Sequence, residues 1–164
     1  MSVTQAKTSL RTQAAPRPLY TADQRARRDA TKWTLVQGIL APLQFLAFAV
    51  SLALVVWYLA TGQAYDAATA SILVKTALLA TIMVTGAIWE KVVFGQYLFA
   101  PAFFWEDVFS FAVIGLHGAY VIGLATGMAP VTLMWVALSA YAAYAINATQ
   151  FILKLRQARL GGLA

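Results

Sequence analysis

Four long runs of apolar residues, laid end to end with short turns between them, limit this chain more than any single motif does. Leu35 to Ala60 carries no charge at all and is longer than the roughly 20 residues a helix needs to cross bilayer hydrocarbon. Three further runs cover about residues 69–94, 104–125 and 131–155, joined by Thr61-Gly62-Gln63-Ala64-Tyr65-Asp66 and Thr126-Gly127-Met128-Ala129-Pro130. Charged residues make up only 11% of the chain, against roughly 25% in a soluble domain, so a water-compatible surface is out of reach. The expected fold class is an all-α integral membrane protein, a four-transmembrane-helix bundle over residues 20–160. Residues 1–19 are expected to form a mobile polar and basic tail, and residues 161–164 a short second tail.

The cations set the expected topology. Seven of the twelve precede residue 33 and three follow residue 153, while the turns at 61–66 and 126–130 carry neither Lys nor Arg. Cytoplasmic loops collect Lys and Arg, so both termini and the 89–107 loop are expected in the cytoplasm. Basic ends flanking apolar runs suit anionic lipid headgroups, and no nucleic-acid partner is expected despite the net charge of +6. The polar stretch before the first run is too long for a signal n-region, so no cleavable signal is expected. The chain has no cysteine, which removes disulfides and thiolate chemistry. Thr21, followed three residues later by Gln24, has the form of a capping box. It should open a short interfacial helix carrying Arg25, Arg27, Arg28, Asp29 and Lys32.

Polar residues inside the runs fall on faces. Gln37, Gln44 and Ser51 recur at heptad spacing in the first run, and Thr81, Thr85 and Trp89 line a face of the second. Pro42 is expected to kink the first run. Lys75, early in the second, is expected to snorkel to the interface. Glu106, Ser110, Val113 and His117 share a stripe of the third run with Tyr120 beyond it, and Tyr144, Asn147, Gln150 and Lys154 form another on the fourth. His117 is the single histidine; at membrane depth it points either to metal ligation or proton relay, or to a neutral ring bonded to Gln44, Asn147 or a threonine. Glu90, Glu106 and Asp107 stand at the ends of the central loop, where Trp89-Glu90-Lys91-Val92 is echoed by Trp105-Glu106-Asp107-Val108. Acids beside flat aromatic surface suit acid–base work on a large planar substrate, though composition alone favours a connecting loop with interfacial anchors.

Three stretches carry a resemblance: Leu35-Val36-Gln37-Gly38-Ile39-Leu40-Ala41-Pro42-Leu43-Gln44-Phe45-Leu46; Ile88-Trp89-Glu90-Lys91-Val92-Val93-Phe94-Gly95-Gln96-Tyr97-Leu98-Phe99-Ala100-Pro101-Ala102-Phe103-Phe104-Trp105-Glu106-Asp107; and Tyr144-Ala145-Ile146-Asn147-Ala148-Thr149-Gln150-Phe151. Together they resemble the 3-vinyl bacteriochlorophyllide hydratase family over roughly residues 19–160. The resemblance implies a hydro-lyase of bacteriochlorophyll biosynthesis that turns the C3 vinyl group of a chlorophyllide-type macrocycle into a 1-hydroxyethyl group. It implies a multi-pass protein of the bacterial inner, photosynthetic membrane. Its expected partners are the tetrapyrrole, the lipid bilayer and neighbouring bacteriochlorophyll-synthesis enzymes. No cofactor and no protein-bound metal are expected, because the substrate brings its own chelated Mg.

The resemblance fixes no catalytic residue, so the roles come from chemistry. An acid must protonate the terminal vinyl carbon, and a carboxylate must then direct water to the resulting cation. Glu106 is the expected acid and Glu90 the expected base, with Tyr97 as its hydrogen-bond partner; the two roles are interchangeable. Asp107 is the third acid, about 100° round the helix from Glu106 and therefore expected to face elsewhere. Trp89 and Trp105 are expected to wall the aromatic slot. His117, Tyr97, Gln44 and Asn147 are further candidate substrate contacts, with His117 a candidate axial ligand to the substrate Mg. Two other readings stay open: a non-catalytic pigment- or haem-binding assembly factor, and a small exporter. The latter is disfavoured by a first run without any acid.

Overall fold

The computed structural model describes residues 18–161, and within them the chain is helical throughout. The amino-terminal tail up to residue 17 and residues 162–164 lie outside that range; Gly161, assigned to the tail, instead ends the last helix. Five helices follow in order: α1 (Ala22–Ala30), α2 (Lys32–Thr61), α3 (Tyr65–Phe94), α4 (Phe104–Ala125) and α5 (Pro130–Gly161). The last four are long and apolar enough to cross a membrane. Most extend past the apolar runs, since hydropathy marks only the greasy stretch while the helix continues to its caps. Thr31 caps α2 by accepting from the N–H of Trp33, and Gly62, left-handed at φ 72°, ends it. α2 continues as one helix through Pro42.

α1 has the capping box read from the sequence: Thr21 Oγ1 accepts from Gln24 N–H, and Gln24 Oε1 accepts from Thr21 N–H. It lies against the end of α3, where Arg27 donates to the Val93 carbonyl at 3.0 Å and Tyr20 stacks on Phe94.

The long helices form two tight hairpins, α2 on α3 and α4 on α5, which meet each other along a narrower seam. Gln37 donates to Thr85 and Trp89 to Thr34 across the first hairpin, at 2.8 and 2.9 Å. In the second, Gly123 lets α4 approach α5 so closely that a Cβ there would stand 3.1 Å from Leu133. Thr81 departs from the expected face, since it is exposed and bonds only its own helix at Ala77. One core, around Ile72, Tyr120, Met134 and Tyr141, fills the end of the bundle away from the central loop. A smaller one, around Tyr20, Val93 and Phe103, lies beneath that loop. Large apolar side chains such as Leu35, Ile122 and Ile152 point outward, as a lipid-facing surface requires.

Candidate active site

Glu90 ends α3 and Asp107 begins α4, and the loop between them folds back so that the two carboxyls meet. Both are almost fully buried, and each lies within reach of the other's charge. Two carboxyls sharing one buried site disfavour a double negative charge. Consecutive loop residues hold the pair from above: Ala100 N–H donates to Glu90 Oε2 at 3.1 Å and Phe99 N–H to Asp107 Oδ2 at 2.7 Å. Phe99 adopts φ 58°, the left-handed region that a bulky residue rarely enters. Its amide is held by Asp107, and its ring is stacked on Phe111 with centroids 5.6 Å apart.

Glu106 serves a different partner. Its Oε2 is 2.5 Å from Lys154 Nζ of α5, and the same ammonium donates to the Ala102 carbonyl and lies over the Phe103 ring. Neighbouring residues on a helix point about 100° apart, which separates Glu106 from Asp107 as expected. The structure therefore joins Glu90 with Asp107, rather than with Glu106, in direct contact. Glu106 remains beside the pair, close enough for its charge to act on Asp107, as does that of Lys154.

The other expected contacts scatter. Trp89 is spent on packing: its indole N–H bonds Thr34 and its ring meets Phe94 and Phe103 edge-on. Trp105 is 65% exposed, edge-on to Phe104, so the two tryptophans do not wall one slot. Tyr97 is also exposed and lies over Lys91 rather than against Glu90. Asn147 donates to Ser110 at 2.8 Å, tying α5 to α4. His117 is buried, with Nδ1 on the Val113 carbonyl at 2.8 Å and Nε2 unpartnered, so it bonds none of the three groups expected of it. Gln44 meets Lys75, which is wholly buried and does not snorkel.

Phe99, Phe111 and Lys75 were not read from the sequence as site residues. A positive φ at phenylalanine leaves no trace in a sequence. A lone lysine in an apolar run does leave one, because a charge at that depth is costly.

A family model described as 2-vinyl bacteriochlorophyllide hydratase matches residues 20–157. The chain belongs to that family. The 2-vinyl of its description and the 3-vinyl of the resemblance name one family. The 2-vinyl bacteriochlorophyllide hydratase of Cereibacter sphaeroides is 75% identical over 148 residues, which are 90% of this chain and 92% of that protein. That of Rhodobacter capsulatus is 73% identical over 142 residues, 87% of this chain and 83% of the relative. No solved structure matches the chain. The family match runs from Tyr20, which packs under the central loop, to beyond Lys154, and so includes all four carboxyl-site side chains.

Proposed function

We infer that this chain is a hydro-lyase that adds water to the vinyl group of a bacteriochlorophyllide-type macrocycle in bacteriochlorophyll biosynthesis. Identity of 75% over nine-tenths of the chain to a hydratase of that name carries the activity. The finer statement is that the C3 vinyl becomes a 1-hydroxyethyl group in a protein crossing the photosynthetic inner membrane four times. Both termini and the carboxyl mouth then lie in the cytoplasm, where the cation distribution puts them. Neighbouring enzymes of the same biosynthesis are proposed partners, since an apolar pigment travels poorly through water.

The mechanism assigned to the mouth uses its own groups. The proton held between Glu90 and Asp107 goes to the terminal vinyl carbon, breaking the carbon–carbon π bond and leaving a cation on the inner carbon. The macrocycle delocalises that charge. Glu106, paired with Lys154, takes a proton from the water whose oxygen bonds to the cation. Asp107, with Glu90 on one side and Glu106 on the other, returns that proton to the pair and closes the cycle. Water is added without oxidation or reduction, so the proposed reaction draws on no redox cofactor, and the Mg arrives with the substrate. Asp107 and His117 are about 15 Å apart along α4. A ring metal on His117 would leave the vinyl carbon, half a macrocycle away, short of the pair. His117 therefore lies below the ring metal in this reading.

The test is direct. Membranes holding this chain, incubated with a 3-vinyl chlorophyllide, should yield a product heavier by one water, and Glu90→Gln membranes should not. Unchanged pigment with the intact chain would overturn the activity. Full turnover by Glu90→Gln would overturn the mechanism alone.

A further inference from the structure

Lys75 is the most deeply buried cation in the described chain, with no exposed surface, about a third of the way along α3. Among the described residues the ion pairs are Arg28–Asp29 and Lys154–Glu106, and neither involves it. An ammonium has three donors. One reaches Gln44 Oε1 at 3.4 Å, near the limit of a hydrogen bond. The rest of its surroundings is aromatic, with the Tyr144 ring 3.7 Å away and Tyr141 and Phe48 further off. Ring faces offset part of the cost of desolvating a cation, but they accept no N–H bond of ordinary strength.

The neighbours share the imbalance. Gln44 Nε2, a donor, is buried without a protein partner; so is His117 Nε2, the acceptor nitrogen of a ring whose Nδ1–H faces the Val113 carbonyl and which is near enough for the Lys75 charge to act on it. Two buried acceptors on α5, Asn147 Oδ1 and Gln150 Oε1, also lack a protein partner. These last two lie on α5 between Tyr144, which touches Lys75, and Lys154, which touches Glu106. Tyr144 and Lys154 are about 15 Å apart along the helix, a length that suits one macrocycle and a side chain.

An unpaired buried cation with one unpartnered amide donor beside it, Gln44 Nε2, selects an anion. A chlorophyllide is the pigment whose propionate is unesterified, so the hydratase's substrate brings a carboxylate. We propose that Lys75 and Gln44 receive that carboxylate at the bottom of the seam, holding the vinyl group at the carboxyl mouth and selecting the free acid over its ester. This rests on the hydratase reading. Lys75 Nζ donates to one carboxylate oxygen and Gln44 Nε2 to the same group, with the ring between the hairpins along Asn147 and Gln150. Lys75 is a positioning residue, since it touches the substrate far from the reacting carbons.

The experiment compares a 3-vinyl chlorophyllide with its methyl ester, in turnover by membranes and in absorbance titration of the purified full chain. The intact protein should favour the free acid by at least about tenfold in KM and in Kd, the scale of one lost charge-assisted contact. Lys75→Met should raise the acid's KM to that of the ester while kcat falls far less, and Gln44→Met should do the same to a smaller degree. An intact protein that treats acid and ester alike overturns the proposal, whatever the variants do. So does a Lys75→Met protein that loses both pigments equally while accumulating normally, which marks a structural lysine. If the hydratase reading itself fails, neither pigment gains water, yet the titration still reports whether acid is preferred to ester.

Discussion

Glu90 and Asp107 lie on different helices within reach of each other's charge, and the adjacent amides of Phe99 and Ala100 each donate to one of them. In the proposed reaction two carboxyls this close act as one acid with one proton. Glu90→Gln and Asp107→Asn should each lower the hydration rate by about 10²–10⁴. Because the groups act as a unit, the double variant should fall little below the slower single variant. Initial rates of product formation, normalised to protein amount, check both statements; multiplying losses would separate the two groups.

The Lys154–Glu106 pair should be asymmetric. Lys154→Met leaves a carboxylate buried without its cation, which costs about 3 kcal/mol. Glu106→Gln leaves an ammonium that is a quarter exposed and still bonds the Ala102 carbonyl, so the loss of stability should be much smaller. Glu106→Gln should nevertheless lose turnover. Thermal unfolding in detergent together with initial rates distinguishes the two variants.

Phe99 offers a test of backbone strain. At φ 58° a side chain costs about 1–2 kcal/mol that glycine avoids. Stacking on Phe111 returns about 0.5–1.5 kcal/mol. Phe99→Gly should therefore be nearly neutral for stability, while Phe99→Ala, which keeps the strain and loses the ring, should be the less stable by about 1 kcal/mol. Unfolding midpoints of the two variants decide it, and an alanine variant as stable as the glycine one would contradict the account.

Topology gives a fourth outcome. Reporter fusions at Gly62 and Gly127 should read as periplasmic and one at Gly95 as cytoplasmic, because the basic ends flank an even number of crossings. A periplasmic signal at Gly95 would put the carboxyl mouth on the wrong side.

His117 gives a fifth. His117→Ala should weaken Mg-chelated and Mg-free pigment to the same degree, since the ring metal is placed above it. A loss confined to the Mg-chelated pigment would move the macrocycle down the seam.

The helices were legible because length and charge depletion are local properties that a linear sequence states outright. So were the faces of α4 and α5, which follow from helical period alone: Ser110 meets Asn147, and Glu106 meets Lys154. The pairing of Glu90 with Asp107 was not legible. It depends on how the loop over residues 95–103 turns back, and that is set by Phe99 in a conformation phenylalanine seldom takes. The fate of Lys75 was misread because snorkelling assumes a path to the interface. Gln44, Tyr141 and Tyr144, from two other helices, hold the lysine inside.

The division into two hairpins puts Glu90 on the first and Asp107, Glu106 and Lys154 on the second. Each half packs more extensively within itself than against the other, so the mouth forms only where the two halves meet. Neither half then owns a working acid. In the proposed reaction catalytic competence is then created at the docking step, so turnover doubles as an assay of assembly. Loss of the Ser51–Tyr141 contact, a hydrogen bond across the seam and remote from the mouth, would show up in a kinetic screen as an active-site lesion.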